Sequence, residues 1–372
     1  MKIGLVSDAI DLKRKTGISF YVYHLIKNIL NLNKKNQFFL LHSEKNDEKL
    51  YKKAKEVIIP YSLFGKKTSL RNLFHLSKFV KRLNLDILHE FNVFMPFMVK
   101  NNTKRIMTVY DLSPIVLPHT HLKRSSIYYR LFLKRVLRKA NAIIAISQNT
   151  KRDLIRYFRI HGKKVYVIYP GRDESFKIIK NKNIKEKIKK KYNLPDKFIL
   201  DVSTIEPRKN LSCLIKAYSL ISDKIDEKLV IVGGYGWRNE KERVDKLIKK
   251  LKIRDKVKII GYAEGKDMPM IFNLCEIFVF TSIYEGFGLP LLEAMACGKP
   301  VLCGKNSSLK EVVGNAGLEI NEKNPKDVAN KIEKILKSSK MRKELSKKSL
   351  KQSKKFSWKK SALELLKIYS SI

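Results

Sequence analysis

Short apolar runs of strand-forming residues alternate along this chain with longer stretches of helical spacing, and that alternation leaves few folds open. In the first half the runs are IGLV (3–6), FFLLH (38–42), EVIIP (56–60), DILHE (86–90), RIMTVYD (105–111), AIIAIS (142–147) and VYVIYP (165–170). Amphipathic stretches such as SFYVYHLIKNIL (19–30) and IYYRLFLKRVLRKA (127–140) lie between them. Continuous apolar runs of this length suit strands buried on both faces, and strands of that kind separated by helices build parallel sheets with helical layers on either side. The pattern pauses at a charged segment, KIIKNKNIKEKIKKKYNLPDK (177–197). It restarts with FILDVS (198–203), LVIVGG (229–234), VKIIGY (257–262), IFVFTS (277–282), PVLCG (300–304) and GLEI (317–320). At 372 residues the chain exceeds a single hydrophobic core. The sequence therefore predicts an α/β protein of two Rossmann-like, doubly wound parallel-sheet domains, 1–176 and 198–354, with 177–197 as the connection. Residues 355–372 follow as a last helix with Ser357 as its cap.

Open parallel sheets bind ligands outside the carboxyl ends of their strands, so the loops after FILDVS and IFVFTS hold the first candidates for chemistry. The second loop opens YEGFGLPLLEAMACGKPVLC (284–303). Its Gly-Phe-Gly turn reaches backbone angles closed to other residues, Pro290 suits a helix start, and Gly298 suits the position just past its end. A glycine loop feeding a helix N-terminus presents unpaired N–H groups and the positive end of the helix dipole, which suits phosphate. Glu285 in the loop and Glu293, expected in the first helical turn, cannot hold phosphate, but they can accept hydrogen bonds from hydroxyl groups attached to it. A phosphorylated polyol such as a nucleotide sugar meets both demands; a plain glycine turn with a favourable helix-start glutamate meets the pattern as well. The first loop, TIEPRKN (204–210), sets Arg208 and Lys209 before the helical stretch LSCLIKAYSLI. Two cations at a helix N-terminus call for a neutralising anion.

The formal charge of +44, from 79 Lys and Arg against 35 Asp and Glu, is spread along the chain. Nucleic acid, an anionic membrane and anionic substrates are the partners such a charge admits. Nucleic acid is the disfavoured one, because the charge is not gathered in one module and the aromatics form no binding signature. A dinucleotide-dependent oxidoreductase is disfavoured too, since GGYGW (233–237) lacks the glycine spacing of a dinucleotide fingerprint. Cys213, Cys275, Cys297 and Cys303 show no C-x-x-C spacing and sit in apolar segments, as reduced core thiols of a cytoplasmic protein do. The start, MKIGLVSDAI, is too soon interrupted by Asp8 for a signal peptide. No apolar run approaches the roughly 20 residues of a membrane span, so membrane contact is expected to be peripheral. Residues 122–140 suit it, with Lys123, Arg124, Arg130, Lys134, Arg135, Arg138 and Lys139 interleaved among Tyr128, Tyr129, Leu131, Phe132, Leu133, Val136 and Leu137. A helix that merely covers the sheet accounts for the same pattern.

EPRKN (206–210), GYAEGKDMPMIFNLCEIFVFTSIYEGFGLPLLEAMACGKPV (261–301) and SSLKEVVGNAGL (307–318) resemble the retaining glycosyltransferases of family 4, which have the GT-B fold. TGISFYVYHLI (16–26), TVYDLSP (108–114) and AIIAISQNTKRDLI (142–155) extend the resemblance through the first half. It implies two domains facing a cleft, an acceptor-side first domain, a closing helix that returns to that domain, and hexosyl transfer from a nucleotide-diphosphate sugar, with a lean toward mannose or rhamnose. The acceptor would be a glycan or polyprenyl-linked glycan at the inner face of the membrane. The substrate apart, no cofactor and no metal is expected. By resemblance Arg208 and Lys209 hold the diphosphate, Glu293 the ribose, and Glu285 the transferred sugar. Phe287, Gly288 and Leu289 offer backbone N–H groups, Gly261 and Tyr262 lie near the base, Gly17 lies near the phosphates, and Asp111 belongs to the catalytic set. Tyr110 stands where many relatives have histidine, and Ser203 where many have glycine.

Overall fold

The computed structural model describes residues 1–372 apart from 13–15, 46–48, 61–75, 92–101, 123–125, 128 and 238. The chain forms two compact units, Met1–Gly171 with Ser357–Ile372, and Arg172–Phe356.

Every apolar run named above becomes a strand. The first unit holds β1 (Lys2–Val6), β2 (Gln37–His42), β3 (Lys55–Ile58), β4 (Ile87–Glu90), β5 (Lys104–Val109), β6 (Ala142–Ala145) and β7 (Val165–Val167). They form one sheet in the order β3-β2-β1-β4-β5-β6-β7, parallel throughout. β4 and β6 are buried along their whole length, as continuous apolar strings between helical layers should be. The helix Gly17–Leu32 begins where Thr16 Oγ1 accepts the N–H of Ser19, at 3.3 Å, and it buries Tyr21, Val22, Leu25, Ile26 and Ile29 as one stripe.

The last helix, Trp358–Ser371, is capped by Ser357 as expected and packs on Gly17–Leu32, so the C-terminus returns to the first unit. A buried polar contact fixes it there. His89 of β4 meets the Tyr369 hydroxyl at Nδ1, 2.6 Å away, and the Thr108 hydroxyl at Nε2, 2.8 Å away. Burial pushes the His89 pKa down to about 3. A neutral imidazole has one donor and one acceptor, and two hydroxyl partners satisfy both.

The second unit repeats the plan with β8 (Phe198–Val202), β9 (Lys228–Val232), β10 (Val257–Gly261), β11 (Ile277–Phe280), β12 (Val301–Gly304) and β13 (Leu318–Ile320), ordered β10-β9-β8-β11-β12-β13. In both sheets the order runs outward one way and then reverses, here between β8 and β11. Such a reversal opens a crevice at the carboxyl edge, because the loops on either side of it leave in opposite directions.

Segment 177–197 lies inside this unit. Its helix Lys182–Lys191 packs on the helix Met268–Leu274, Ile179 N–H donates to Asn273 Oδ1 at 2.9 Å, and Lys191 pairs with Glu264 and Asp267. The division between units thus falls after Gly171. The stretch 127–140 is likewise not one regular helix. Tyr129–Leu133 form a π-helical turn and Lys134–Lys139 an α-helix, with Leu133, Val136 and Leu137 buried against the sheet. Lys123, Arg124 and Tyr128 lie outside the described residues. All four cysteines are buried, and none is paired with another.

Candidate functional site

The reversal between β8 and β11 brings together the two loops singled out in the sequence. After β8 the chain passes through Thr204–Glu206, makes a 3-10 turn over Pro207–Lys209, and enters the helix Leu211–Ser219 through Asn210, a left-handed residue with φ 55°. After β11 it runs through Thr281–Glu285. Backbone and side-chain bonds join the two loops: Ile283 N–H donates to the Arg208 carbonyl (2.9 Å), and Thr281 Oγ1 to that of Lys209 (3.2 Å). The first loop also needs room against the β9–β10 side. A Cβ on Gly233 would come within 1.9 Å of the Ser203 carbonyl oxygen, so only glycine fits.

The cations and the loop glutamate form one buried cluster. Arg208 Nη1 donates to Glu285 Oε2 at 2.9 Å and to the Tyr284 carbonyl at 2.7 Å. Its Nε and Nη2 grip Glu206 Oε1 at 3.1 and 2.7 Å. Lys209 Nζ donates to Glu285 Oε1 at 2.6 Å and lies over the Phe280 ring, 5.2 Å from its centre. Ser282 Oγ also donates to Glu285 Oε1. The two cations are thus paired with Glu285 and Glu206. Burial drives the Glu285 pKa upward, but the charges of Arg208 and Lys209 and the bonds from Lys209 and Ser282 outweigh it and hold the carboxyl at about 2. A carboxylate has about four lone-pair positions. Three donors are already in place, which leaves Glu285 about one position for a hydroxyl group from outside.

Below the turn, Ser307 Oγ accepts the Glu285 N–H at 2.8 Å, and Ser308 Oγ is shared between the carbonyls of Glu285 (2.9 Å) and Phe287 (3.0 Å). Gly288, with φ 104°, caps the helix Leu289–Ala296 in a conformation that only glycine adopts freely; a Cβ there would also stand 2.8 Å from Leu309 Cδ2. Phe287 is buried edge-on against Phe356, their centres 5.4 Å apart, so backbone rather than ring is what residues 287–289 offer a ligand. The helix starts one residue earlier than Pro290 implied. Glu293 is accordingly beyond its first turn, and burial, then the Asp173 charge, push its carboxyl up to about 8.

Gly261 ends β10 at φ 69° and takes the Gly233 N–H on its carbonyl at 2.8 Å; Tyr262 next to it is exposed. Both lie at the same carboxyl edge of the sheet. Gly17 and Asp111 belong to the first unit. Gly17 is the exposed first residue of its helix. Asp111 Oδ1 accepts from the N–H and hydroxyl of Ser113, at 2.8 and 2.6 Å, and so starts the turn Ser113–Val116. Tyr110 is buried edge-on to Tyr21, 5.5 Å between centres, and its hydroxyl has no hydrogen-bond partner among the described residues.

The sequence reading missed Ser282, Glu206, Ser307 and Ser308, which hold the cluster in shape. It also missed Asp201, fully buried on β8, whose Oδ1 accepts from Ser203 Oγ. Charged residues inside apolar strings were the available signal, and Asp201 in FILDVS was one.

Two doubly wound parallel sheets of this order are the fold of GT-B glycosyltransferases. Family models agree: residues 183–352 match "Glycosyl transferases group 1" and residues 16–176 match "Glycosyltransferase Family 4". The chain belongs to this group of glycosyltransferases. It is 35% identical over 261 residues to the serotype-specific mannosyltransferase WbdA of Escherichia coli; the match takes in 68% of this chain and 32% of that protein. It therefore spans about a third of the length of that relative. It is 31% identical over 246 residues, 65% of this chain and 64% of the relative, to the N-acetylgalactosamine-N,N'-diacetylbacillosaminyl-diphospho-undecaprenol 4-alpha-N-acetylgalactosaminyltransferase of Campylobacter jejuni. The fold matches the crystal structure of Anabaena Alr3699/HepE in complex with UDP and glucose with a TM-score of 0.77 at 19% identity, over 100% of this chain and 99% of the other.

Proposed function

We propose that this glycosyltransferase moves a hexosyl residue, of mannose or rhamnose type, from a nucleotide-diphosphate sugar to a glycan or polyprenyl-linked glycan, with retention of anomeric configuration. The observation that carries the donor assignment is the Arg208–Lys209–Glu285 cluster at the β8/β11 reversal. Two cations held by Glu206 and Glu285 can be redirected to a diphosphate with small movements of their side chains. In the reaction the bond between the anomeric carbon and the phosphate oxygen breaks, and its electron pair goes to the phosphate. Arg208 and Lys209 stabilise that growing charge, an effect often worth about 3–4 kcal/mol for one well-placed donor. The acceptor hydroxyl attacks from the face the phosphate leaves and passes its proton to the departing phosphate oxygen. Glu285 then positions a sugar hydroxyl and forms no bond to the sugar. Glu293 takes the ribose, and the N–H groups at 287–289 take sugar or phosphate. Two cations do at the diphosphate what a divalent ion does elsewhere, so transfer is expected to persist in EDTA.

The mannose lean is supported by the relationship to WbdA, and a lipid-linked acceptor by the Campylobacter relative. A peripheral membrane surface on the first unit fits the latter. Leu122, Ile127, Leu131 and Phe132 are exposed large apolar side chains, and Arg130, Arg135, Arg138 and Lys139 lie on the same stretch. Among the described residues no helix is long and apolar enough to cross a membrane. The deciding experiment is a thermal-shift screen of nucleoside diphosphates and their sugars, followed by transfer assays with the nucleotide that stabilises. No shift with any of them would defeat the donor assignment.

A further inference from the structure

Asp201 has no task in the reaction just described, yet it is among the least usual residues in the molecule. It sits near the carboxyl end of β8 with no exposed surface, Ser203 Oγ donates to its Oδ1, and its Oδ2 has no hydrogen-bond partner among the described residues. A buried carboxylate with half its hydrogen bonds unmade is costly when ionised. On the sheet, β9 meets it with Ile231. The helices Leu211–Ser219 and Pro325–Lys337 cover the face of neighbouring Ile199 with apolar core side chains. The charges that face it come from the two site loops: Lys209, which favours its ionised form, and Glu285, which opposes it, with Glu206 and Arg208 beyond.

Arg208 and Lys209 are matched one for one by Glu206 and Glu285, so the cluster reaches charge balance without Asp201. A diphosphate entering this cluster adds negative charge with no new cation. It also draws Lys209, whose charge supports ionised Asp201, toward the ligand. We infer that Asp201, a fully buried carboxyl with one unpartnered oxygen behind the Arg208–Lys209 loop, is a proton-binding site coupled to the donor pocket that takes up a proton when the diphosphate binds. The inference rests on the donor-site reading above. Burial, partly offset by the Ser203 bond and the Lys209 charge, puts the Asp201 pKa at about 7. At pH 8 it is mostly ionised, and an upward push of about two pH units fills it. Proton uptake makes binding weaken as pH rises above 7. Glu293 responds in the opposite sense, since a carboxyl at about 8 that accepts ribose hydroxyls loses its proton.

The test is calorimetry of UDP and GDP binding at pH 8 in buffers of contrasting ionisation enthalpy, on the unmodified protein and on Asp201→Asn. A terminal phosphate ionises near pH 6, so the ligand itself carries no proton at pH 8. The unmodified protein should take up more protons than the variant by on the order of one per ligand. Equal proton counts with intact binding would overturn the inference and leave the donor site standing; no binding of either nucleotide would overturn both. Should Asp201→Asn fail to fold, the infrared difference spectrum of Glu293→Gln replaces it, recorded at a nucleotide concentration that calorimetry shows to saturate that variant. A new protonated-carboxyl stretch is expected there, and its absence refutes the inference.

Discussion

Glu285→Gln tests the central cluster directly. The substitution keeps the shape and removes the charge, so Lys209, nearly buried, loses its carboxylate partner, and Arg208 keeps only Glu206. The size of the loss follows from the carboxyl's acidity. Its pKa of about 2 in the fold, against an ordinary value of 4.5, corresponds to about 3 kcal/mol at roughly 1.4 kcal/mol per pH unit. The folded value is the lower one. The stabilisation is therefore complete above pH 4.5 and is lost as pH falls from 4.5 toward 2. At pH 7.5 all of it should be missing in the variant, in line with the roughly 3–5 kcal/mol seen when one partner of a buried ion pair is removed. For a unit of this size the melting transition should drop by about 6–12 °C. The same geometry predicts a compensation. With Glu285 neutral, the two cations are open to an anion, so a nucleoside diphosphate should raise the melting temperature of the variant more than that of the unmodified protein. Differential scanning fluorimetry with and without nucleotide measures both effects. A variant that melts within about 2 °C of the parent, or a nucleotide shift no larger in the variant, would mean that the cations do not depend on Glu285 and that the cluster is not a charge-balanced anion pocket.

Arg208→Ala with Lys209→Ala should abolish most transfer and also lower the melting temperature, because Glu206 and Glu285 stay buried without their cations; near-normal turnover, measured below that transition, would remove the phosphate assignment. Glu293→Gln should weaken binding of a bare nucleoside diphosphate in calorimetry. Glu285→Gln should instead lower turnover while binding holds or tightens, and equal weakening by both would erase the distinction between ribose and sugar. In the first unit, His89 has a folded pKa of about 3 against an ordinary 6.5, so stability complete above pH 6.5 should fall as pH drops toward 3, by as much as about 5 kcal/mol. His89→Phe should flatten that dependence in pH-resolved urea titrations. Sedimentation with liposomes should show binding to anionic vesicles that declines with salt and with Arg130, Lys134, Arg135 and Arg138 changed to glutamine; equal binding to neutral vesicles would assign 122–140 to sheet packing alone.

The sequence by itself determined the elements and the order in which they come. A strand buried on both faces must be apolar along its whole length, and a helix covering a sheet must carry one apolar stripe; both demands are local, so β1–β13 stand where the runs predicted, within a few residues. Arg208, Lys209 and Glu285 were legible for a related reason: loops at the carboxyl ends of strands are where charge, proline and glycine must appear together. What the charges do to one another was decided only by the tertiary structure. Glu285 reaches Arg208 and Lys209 from the far side of a sheet reversal, and no local pattern states that β8 and β11 are neighbours. The segment 177–197 read as a connection because it is charged, yet it packs on Met268–Leu274 through a few contacts distant in sequence. Asp111 entered the catalytic set by resemblance, and only the fold shows that it accepts the N–H and hydroxyl of Ser113. Asp201 looked like one polar residue in a strand. Its burial, its unpartnered oxygen and its closeness to Lys209 and Glu285 exist only once the two loops are folded over it, because burial and electrostatic coupling are properties of the space around a side chain rather than of its neighbours in the chain.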